Sequence, residues 1–231
     1  MVKSQDSDVE IRQSIIDACR EMSAQGINQG TSGNISVRTE DGILLTPSGV
    51  PYDRMRPEDI VAMKWDGSWM ASPGHVPSTE WRFHLDILKS KPEANAVVHA
   101  HPIFCTIIAI MNRSIPAIHY MIAAAGGNDV ACAPYAQYGT EELSRAALDA
   151  LRYRRACLLA HHGLIAIGPN LRKALWLAVE VEVLAKQYHG CLQLGEPPLL
   201  PDDEIDSILK RWGQYGLRDS DGTQMTSANS K

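Results

Sequence analysis

Apolar residues recur every third or fourth position in some segments of the chain, and every second position or in short unbroken runs in others. Ile11, Ile15, Cys19 and Met22 fall on one helical stripe. Ser7-Asp8-Val9-Glu10 has the spacing of a cap for that helix and Gly26 is its natural stop. NISVR (34–38) and GILL (42–45), joined through Glu40-Asp41-Gly42, predict a β-hairpin, and IVAMKW (60–65) before Asp66-Gly67 predicts a further strand and turn. Thr79 is placed to cap a helix from Glu80 to about Lys89 that must end before Pro92. AVVHAH (96–101) predicts a strand, IFCTIIAIM (103–111) a buried helix, and Ile118 to Met121 a short apolar stretch. A long loop follows from Gly126 to Gly139, then a helix opened by Thr140 and running to about Arg152. CLLAHH (157–162) reads as a strand, Leu171 to Leu194 as a long amphipathic helix, and Asp202 to Trp212 as a shorter one. Strands interleaved with helices imply an α/β sandwich with helices on both faces.

Composition narrows this picture. A chain of 231 residues suits one domain, and it shows neither a repeat nor an internal linker. The polar run from Asp219 onward predicts a disordered tail at residues 219–231, after a domain spanning 1–218. Net charge is −5 and no Lys/Arg-rich run stands out, which argues against nucleic acid as a partner. No apolar stretch reaches 18 residues, so no membrane span is expected. The charged N-terminal segment lacks the apolar core of a signal peptide. Cys19, Cys105, Cys132, Cys157 and Cys191 are scattered, odd in number and set in apolar patterns, the usage of reduced thiols in a cytoplasmic protein.

The chemistry centres on His99, His101 and His162, in VVHAHP and LLAHHGL. Each motif follows a short apolar run, so each imidazole falls near the end of a buried strand. Side chains alternate along a strand, so His99 and His101 point the same way, and His162 can join them from a neighbouring strand. Three neutral imidazoles with a fourth position open describe a catalytic zinc site. A His-x-His pair satisfied by backbone hydrogen bonds, binding nothing, is the competing reading. Pro102 and Gly163 break both segments directly after the histidines, at strand ends where open α/β sheets carry their sites. Glu80, in VPSTEWRFH, is a helix cap in one reading and a general base beside the imidazoles in the other. Gly30-Thr31-Ser32-Gly33-Asn34, Thr46-Pro47-Ser48-Gly49 and Ser78-Thr79 are turns of small residues. Their amides and hydroxyls can bind phosphate without lysine, although none matches a Walker A loop or GxGxxG. Tyr120 reads as a core tyrosine or a proton donor. His161 points away from His162 if both lie on one strand, a structural role. His75, His84, His119 and His189 show no pairing that suggests chemistry.

The blocks NQGTSGNISVR, TPSGVPYD, PSTEWRFH, NAVVHAHP, RSIPAIHYMIAAAGGN, LLAHHGLIA and KALWLAVEVEVLA resemble the class II aldolase and adducin family over roughly residues 8–218. The resemblance implies a single-domain three-layer sandwich with a mixed or largely antiparallel sheet. It implies Zn2+ on His99, His101 and His162, with Glu80 as acid/base and resting-state ligand. Phosphate would be held by Gly33, Asn34, Ser48, Gly49, Ser78 and Thr79. Tyr120 would reach an active site across a subunit boundary in a fourfold homotetramer. The implied activity is reversible cleavage of L-fuculose 1-phosphate, or a close ketose 1-phosphate, to dihydroxyacetone phosphate and L-lactaldehyde. Family alternatives are a 5-deoxy or methylthio ribulose 1-phosphate as substrate, L-ribulose-5-phosphate 4-epimerisation, decarboxylation of a phosphotetronate, and an adducin-like assembly module without catalysis. Epimerases carry a shorter Asp at the position of Glu80, and an adducin-like head is expected to lack the histidines. Tyr138 and Trp212 stand where phenylalanines commonly line the aldehyde end, so the leaving aldehyde stays open.

Overall fold

The computed structural model describes residues 2–212. Its strands are β1 (Asn34–Arg38), β2 (Gly42–Leu45), β3 (Val61–Lys64), β4 (Trp69–Met70), β5 (Ala96–Ala100), β6 (Ala131–Ala133), β7 (Ala156–Leu159) and β8 (Gly163–Gly168). They form one sheet in the order β4-β3-β2-β1-β5-β8-β7-β6. Every neighbouring pair is antiparallel except β6 with β7. Packed on the sheet are α1 (Val2–Ala24), α2 (Trp81–Ser90), α3 (Ile103–Ile110), α4 (Glu141–Ala150), α5 (Leu171–Leu192) and α6 (Asp202–Arg211).

The strands are apolar on both faces, and their alternation builds two cores. Leu44, Val98, Leu158, Leu164 and Ala166 face a core shared with α1, α3, α5 and α6, while Ile43, Leu45, Val97, Leu159 and Ile165 face one shared with α2 and α4. The result is a single-domain three-layer sandwich with a mixed, mainly antiparallel sheet. The predicted tail at 219–231 lies outside the described residues.

Four local expectations change. The first helix starts at Val2, so Ser7 lies inside it and the Ser7–Glu10 spacing does not cap its start; residues 1–25 hold neither Gly nor Pro to stop it earlier. Glu80, not Thr79, is the N-cap residue of α2, and the Ser78 hydroxyl accepts a hydrogen bond from the Glu80 N–H at 3.3 Å. The predicted loop 126–139 contains β6, whose Ala-Cys-Ala has little strand propensity and is held by its parallel pairing with β7. Gly163 does not break a segment but opens β8. It is small because the Ala100 carbonyl and the His101 ring lie against its Cα. Ala160, His161 and His162 are therefore the tight turn of the β7–β8 hairpin, with the His162 N–H bonded to the Leu159 carbonyl at 3.0 Å.

Substituting Gly163→Ala is expected to cost about 1–3 kcal/mol in urea unfolding, because the new Cβ overpacks against backbone that cannot move freely. Tyr153→Ala, at a residue 76% exposed, is the control expected to stay within about 0.5 kcal/mol. Equal midpoints for the two variants would contradict the close approach of β5 and β8 at this point.

Candidate metal centre and anion cradle

β5 lies between β1 and β8, at the middle of the sheet, and its C-terminal end carries His99 and then His101. The neighbouring β7–β8 turn brings His162, and the start of α2 brings Glu80. The three imidazole rings sit with centroids 4.8–4.9 Å apart. One ligand atom from each of Glu80, His99, His101 and His162 falls within 4.8 Å of the others. The histidines the sequence singles out thus converge, and Glu80 faces them.

The protonation of His99 follows from its neighbours. Its Nδ1 is 2.8 Å from the Leu164 carbonyl, which can only accept, so Nδ1 carries the proton and Nε2 presents a lone pair. That Nε2 lies 2.9 Å from His101 Nε2 and 3.2 Å from Glu80 Oε2. Burial, with His99 and His162 adding to it, pushes the His101 pKa down to about 3, so this ring is neutral at ordinary pH. Burial works against ionisation of Glu80. A proton on the His99 or His162 imidazole outweighs it and holds the carboxyl well below the usual carboxylate range. Glu80 Oε1 is buried without a hydrogen-bond partner and lies 3.2 Å from His162 Nε2. Lone pairs and a carboxylate oxygen aimed at one point without enough protons between them fit a divalent cation, which satisfies all four at once. The set is three nitrogens and one oxygen, which suits zinc chemistry.

Three turns face this cluster across a cavity of about 480 Å3. The segments 46–49 and 76–79 are joined by a bridge between Pro47 and Pro77, with Ser48 N–H bonded to the Val76 carbonyl and Ser78 N–H to the Thr46 carbonyl. This pairing sets Ser48, Gly49, Ser78 and Thr79 side by side on the cavity wall. Gly49 turns there with φ +70°, which glycine adopts without strain. Thr31, Ser32 and Gly33 add the third side. A Cβ at Gly33 would fall 2.8 Å from the His99 carbonyl and from the Asn28 side chain, so only glycine lets this loop lie against β5. Among the described residues these walls hold hydroxyls and main-chain groups but no Lys or Arg.

Asn34 is buried, and its side chain is bonded on both sides within the protein. Its Nδ2 donates to Glu80 Oε2 at 2.9 Å, and its Oδ1 lies 2.5 Å from His84 Nε2. His84 is fully buried, and its Nδ1 is 2.8 Å from the Ser36 hydroxyl. Sequence reasoning passed over His84. The available signal was the polar spacing Asn34-x-Ser36 on an otherwise apolar strand, opposite a lone His on the apolar side of α2. Asn28 and Tyr52 were missed too. The Asn28 Oδ1 accepts from the His101 N–H at 3.3 Å, its Nδ2 donates to the Tyr52 hydroxyl at 3.2 Å, and that hydroxyl donates to the Gly33 carbonyl at 2.6 Å.

The far side of the cavity is lined by Tyr135, Ala136, Tyr138 and His161. His161 is exposed, has φ +56° and meets the Tyr135 ring edge-on at 6.0 Å. It is a rim residue in a turn rather than a strand residue pointing away from His162. Tyr138 lines the cavity, whereas Trp212 is 9% exposed in the core beside α5 and does not. Tyr120 opens a 3-10 turn (Tyr120–Ala125), stacks on His119, is 41% exposed and lies outside the cavity of its own chain.

Comparison with known proteins bears on this geometry. The class II aldolase and adducin N-terminal domain matches residues 13–189. L-fuculose phosphate aldolase of Escherichia coli is 56% identical over 205 residues, covering 88% of this chain and 94% of that protein. The 5-methylthioribulose-1-phosphate/5-deoxyribulose-1-phosphate aldolase of Rhodospirillum rubrum is 51% identical over 210 residues, covering 91% and 94%. A solved L-fuculose 1-phosphate aldolase superposes with a TM-score of 0.85 at 36% identity, covering 88% of this chain and 96% of that one. The chain belongs to the class II aldolase and adducin family, and within it it is an aldolase, a carbon–carbon lyase.

Proposed function

We propose that the protein cleaves L-fuculose 1-phosphate reversibly to dihydroxyacetone phosphate and L-lactaldehyde, with Zn2+ held by His99, His101, His162 and, at rest, Glu80. The observation that carries this reading is the convergence of Glu80 and three imidazoles beside a cavity also lined by the uncharged small-residue turns at 31–33, 47–49 and 78–79. Similarity to the L-fuculose phosphate aldolase of Escherichia coli supports the choice of sugar.

Zinc, when bound, supplies Lewis-acid stabilisation of the negative charge left on the C2–C3 fragment as the C3–C4 bond breaks. The phosphate lies against Gly33, Ser48, Gly49, Ser78 and Thr79 and the main chain at Asn34, bound by amides and hydroxyls. In the synthetic direction the Glu80 carboxylate, held ionised by its neighbours, takes the proton from C3 of dihydroxyacetone phosphate. In cleavage the proton released from the C4 oxygen is balanced by one taken up on Glu80 from solvent, which the carboxyl then delivers to C3. Tyr120 handles the proton on the C4 oxygen from a neighbouring subunit of a homotetramer. Its 41% exposure and its position outside its own chain's cavity support that placement. Five free cysteines, and no helix among the described residues long and apolar enough to cross a membrane, support a cytoplasmic enzyme.

A second reading, cleavage of a 5-deoxy or methylthio ribulose 1-phosphate, is favoured by Tyr138 at the cavity rim and by similarity to the Rhodospirillum rubrum enzyme. Side-by-side kinetics decide between them. The higher kcat/KM is expected on L-fuculose 1-phosphate, and the reverse ranking would establish the second reading.

Chelation is expected to abolish release of dihydroxyacetone phosphate and Zn2+ to restore it. Activity that survives complete metal removal would end the metal reading. Glu80→Gln is expected to retain zinc on the three imidazoles while kcat falls about 10²–10⁴-fold. Unchanged turnover would remove Glu80 from its acid/base role.

A further inference from the structure

We propose that His84 is a positioning residue for this reaction: by donating Nε2–H to Asn34 it fixes the amide so that Nδ2–H, and not Oδ1, meets the Glu80 carboxylate. The inference rests on the reading of Glu80 as acid/base and metal ligand.

The hydrogen-bond directions leave one solution. A carboxylate oxygen only accepts, so the Asn34 atom 2.9 Å from Glu80 Oε2 is the donor Nδ2. The other amide atom, Oδ1, is then an acceptor 2.5 Å from His84 Nε2, which must carry a hydrogen. The neutral ring therefore has a bare Nδ1, which accepts the Ser36 O–H at 2.8 Å. The chain runs Ser36 to His84 to Asn34 to Glu80, every member is buried, and every donor points toward the carboxylate.

The fold makes this chain independent of solvent. Asn34 pairs with His99 across β1 and β5, and Ser36 lies two residues along the same face of β1. His84 comes down on them from α2, four residues after Glu80, with its ring stacked on Phe83 at 4.7 Å. Phe83 in turn meets the His99 ring edge-on at 5.4 Å. Without the His84 donor nothing distinguishes the two ends of the Asn34 amide from that side. The amide can then turn its oxygen toward Glu80, where two acceptors repel. The carboxylate loses its orientation over the imidazoles while the anion cradle, built from other turns, is untouched.

The experiment uses the full-length protein with L-fuculose 1-phosphate and Zn2+. His84→Met, similar in bulk but without a donor, is expected to lower kcat about 10–100-fold, change KM less than about threefold and weaken zinc retention against a chromophoric chelator about tenfold. His84→Gln, whose side-chain amide can still donate to Asn34, is expected to recover most of both losses. In wild-type protein carrying 15N-labelled histidine, the His84 ring is expected in the Nε2–H form. A ring protonated at Nδ1, equal losses in the Met and Gln variants, or a Met variant indistinguishable from wild type would each overturn the proposal. Should His84→Met fail to fold, Ser36→Ala removes the donor to Nδ1 and is expected to lower kcat about threefold and to let the ring tautomers mix. No change in either would equally overturn it. A wild-type protein that binds no zinc defeats the preceding reading as well, whereas one that binds zinc and cleaves substrate beside an unaltered His84→Met variant defeats this inference alone.

Discussion

The hydrogen bond from His99 Nδ1 to the Leu164 carbonyl is the constraint on which the site depends. It joins the central strand β5 to its neighbour β8 through a side chain, not only through the ladder. Breaking it would leave the buried His99 Nδ1–H unpaired, at a cost of about 1–3 kcal/mol, so the ring has one orientation and one tautomer. That tautomer points a lone pair at His101 Nε2 and at Glu80. The donors are thus committed before any ion arrives. The energy of converging them is supplied by folding the two cores, so a divalent ion would meet a preorganised site.

Electrostatics follow from the same arrangement. A protein of net charge −5 with neither Lys nor Arg on the cavity wall among the described residues has no evident means of attracting a sugar phosphate. Neutral imidazoles leave a divalent ion's charge unspent, and main-chain amides add partial positive charge at short range. Glu80 partly offsets that charge. Its burial and its bond to Asn34 keep its negative charge beside the imidazoles rather than facing the anion cradle.

Much of this was legible in the sequence, and the reasons divide cleanly. Period-two runs and helical stripes located β1, β2, β3, β5, α3, α4 and α5, because their apolar faces are continuous. β4, β6 and β8 were missed, because β4 is only two residues long, because Ala-Cys-Ala carries no strand signal, and because Gly163 resembles a terminator when its purpose is close packing against β5. The convergence of His99, His101, His162 and Glu80 was legible because a metal centre imposes residue types. The polar chain beneath it was not. Ser36 and His84 look like solvent-facing or isolated residues, and Asn34 like part of a phosphate-binding turn, until α2 is laid on β1, since burial of polar groups is a tertiary property that no local window contains. The mixed, largely antiparallel sheet was expected only from the resemblance to the class II aldolases, because alternating strands and helices do not by themselves fix strand direction.

Depth in the structure also separates the chemistry from the choice of sugar. His99 and His84 are wholly buried and Asn34 and Glu80 nearly so, each held by at least one directional contact to another buried group. A change at any of them leaves an unpaired polar atom in the interior. Tyr135 and Tyr138, on the opposite rim, are 65% and 63% exposed and lie on a segment joining β6 to α4. Substitution there costs little stability, and the space it alters is where the aldehyde half of the substrate must lie if the phosphate occupies the cradle and the bond to be broken lies beside Glu80. The bond-breaking machinery is therefore coupled to the fold and the aldehyde preference is not. One scaffold can keep the first while the second shifts between a methyl-bearing and a thioether-bearing tail.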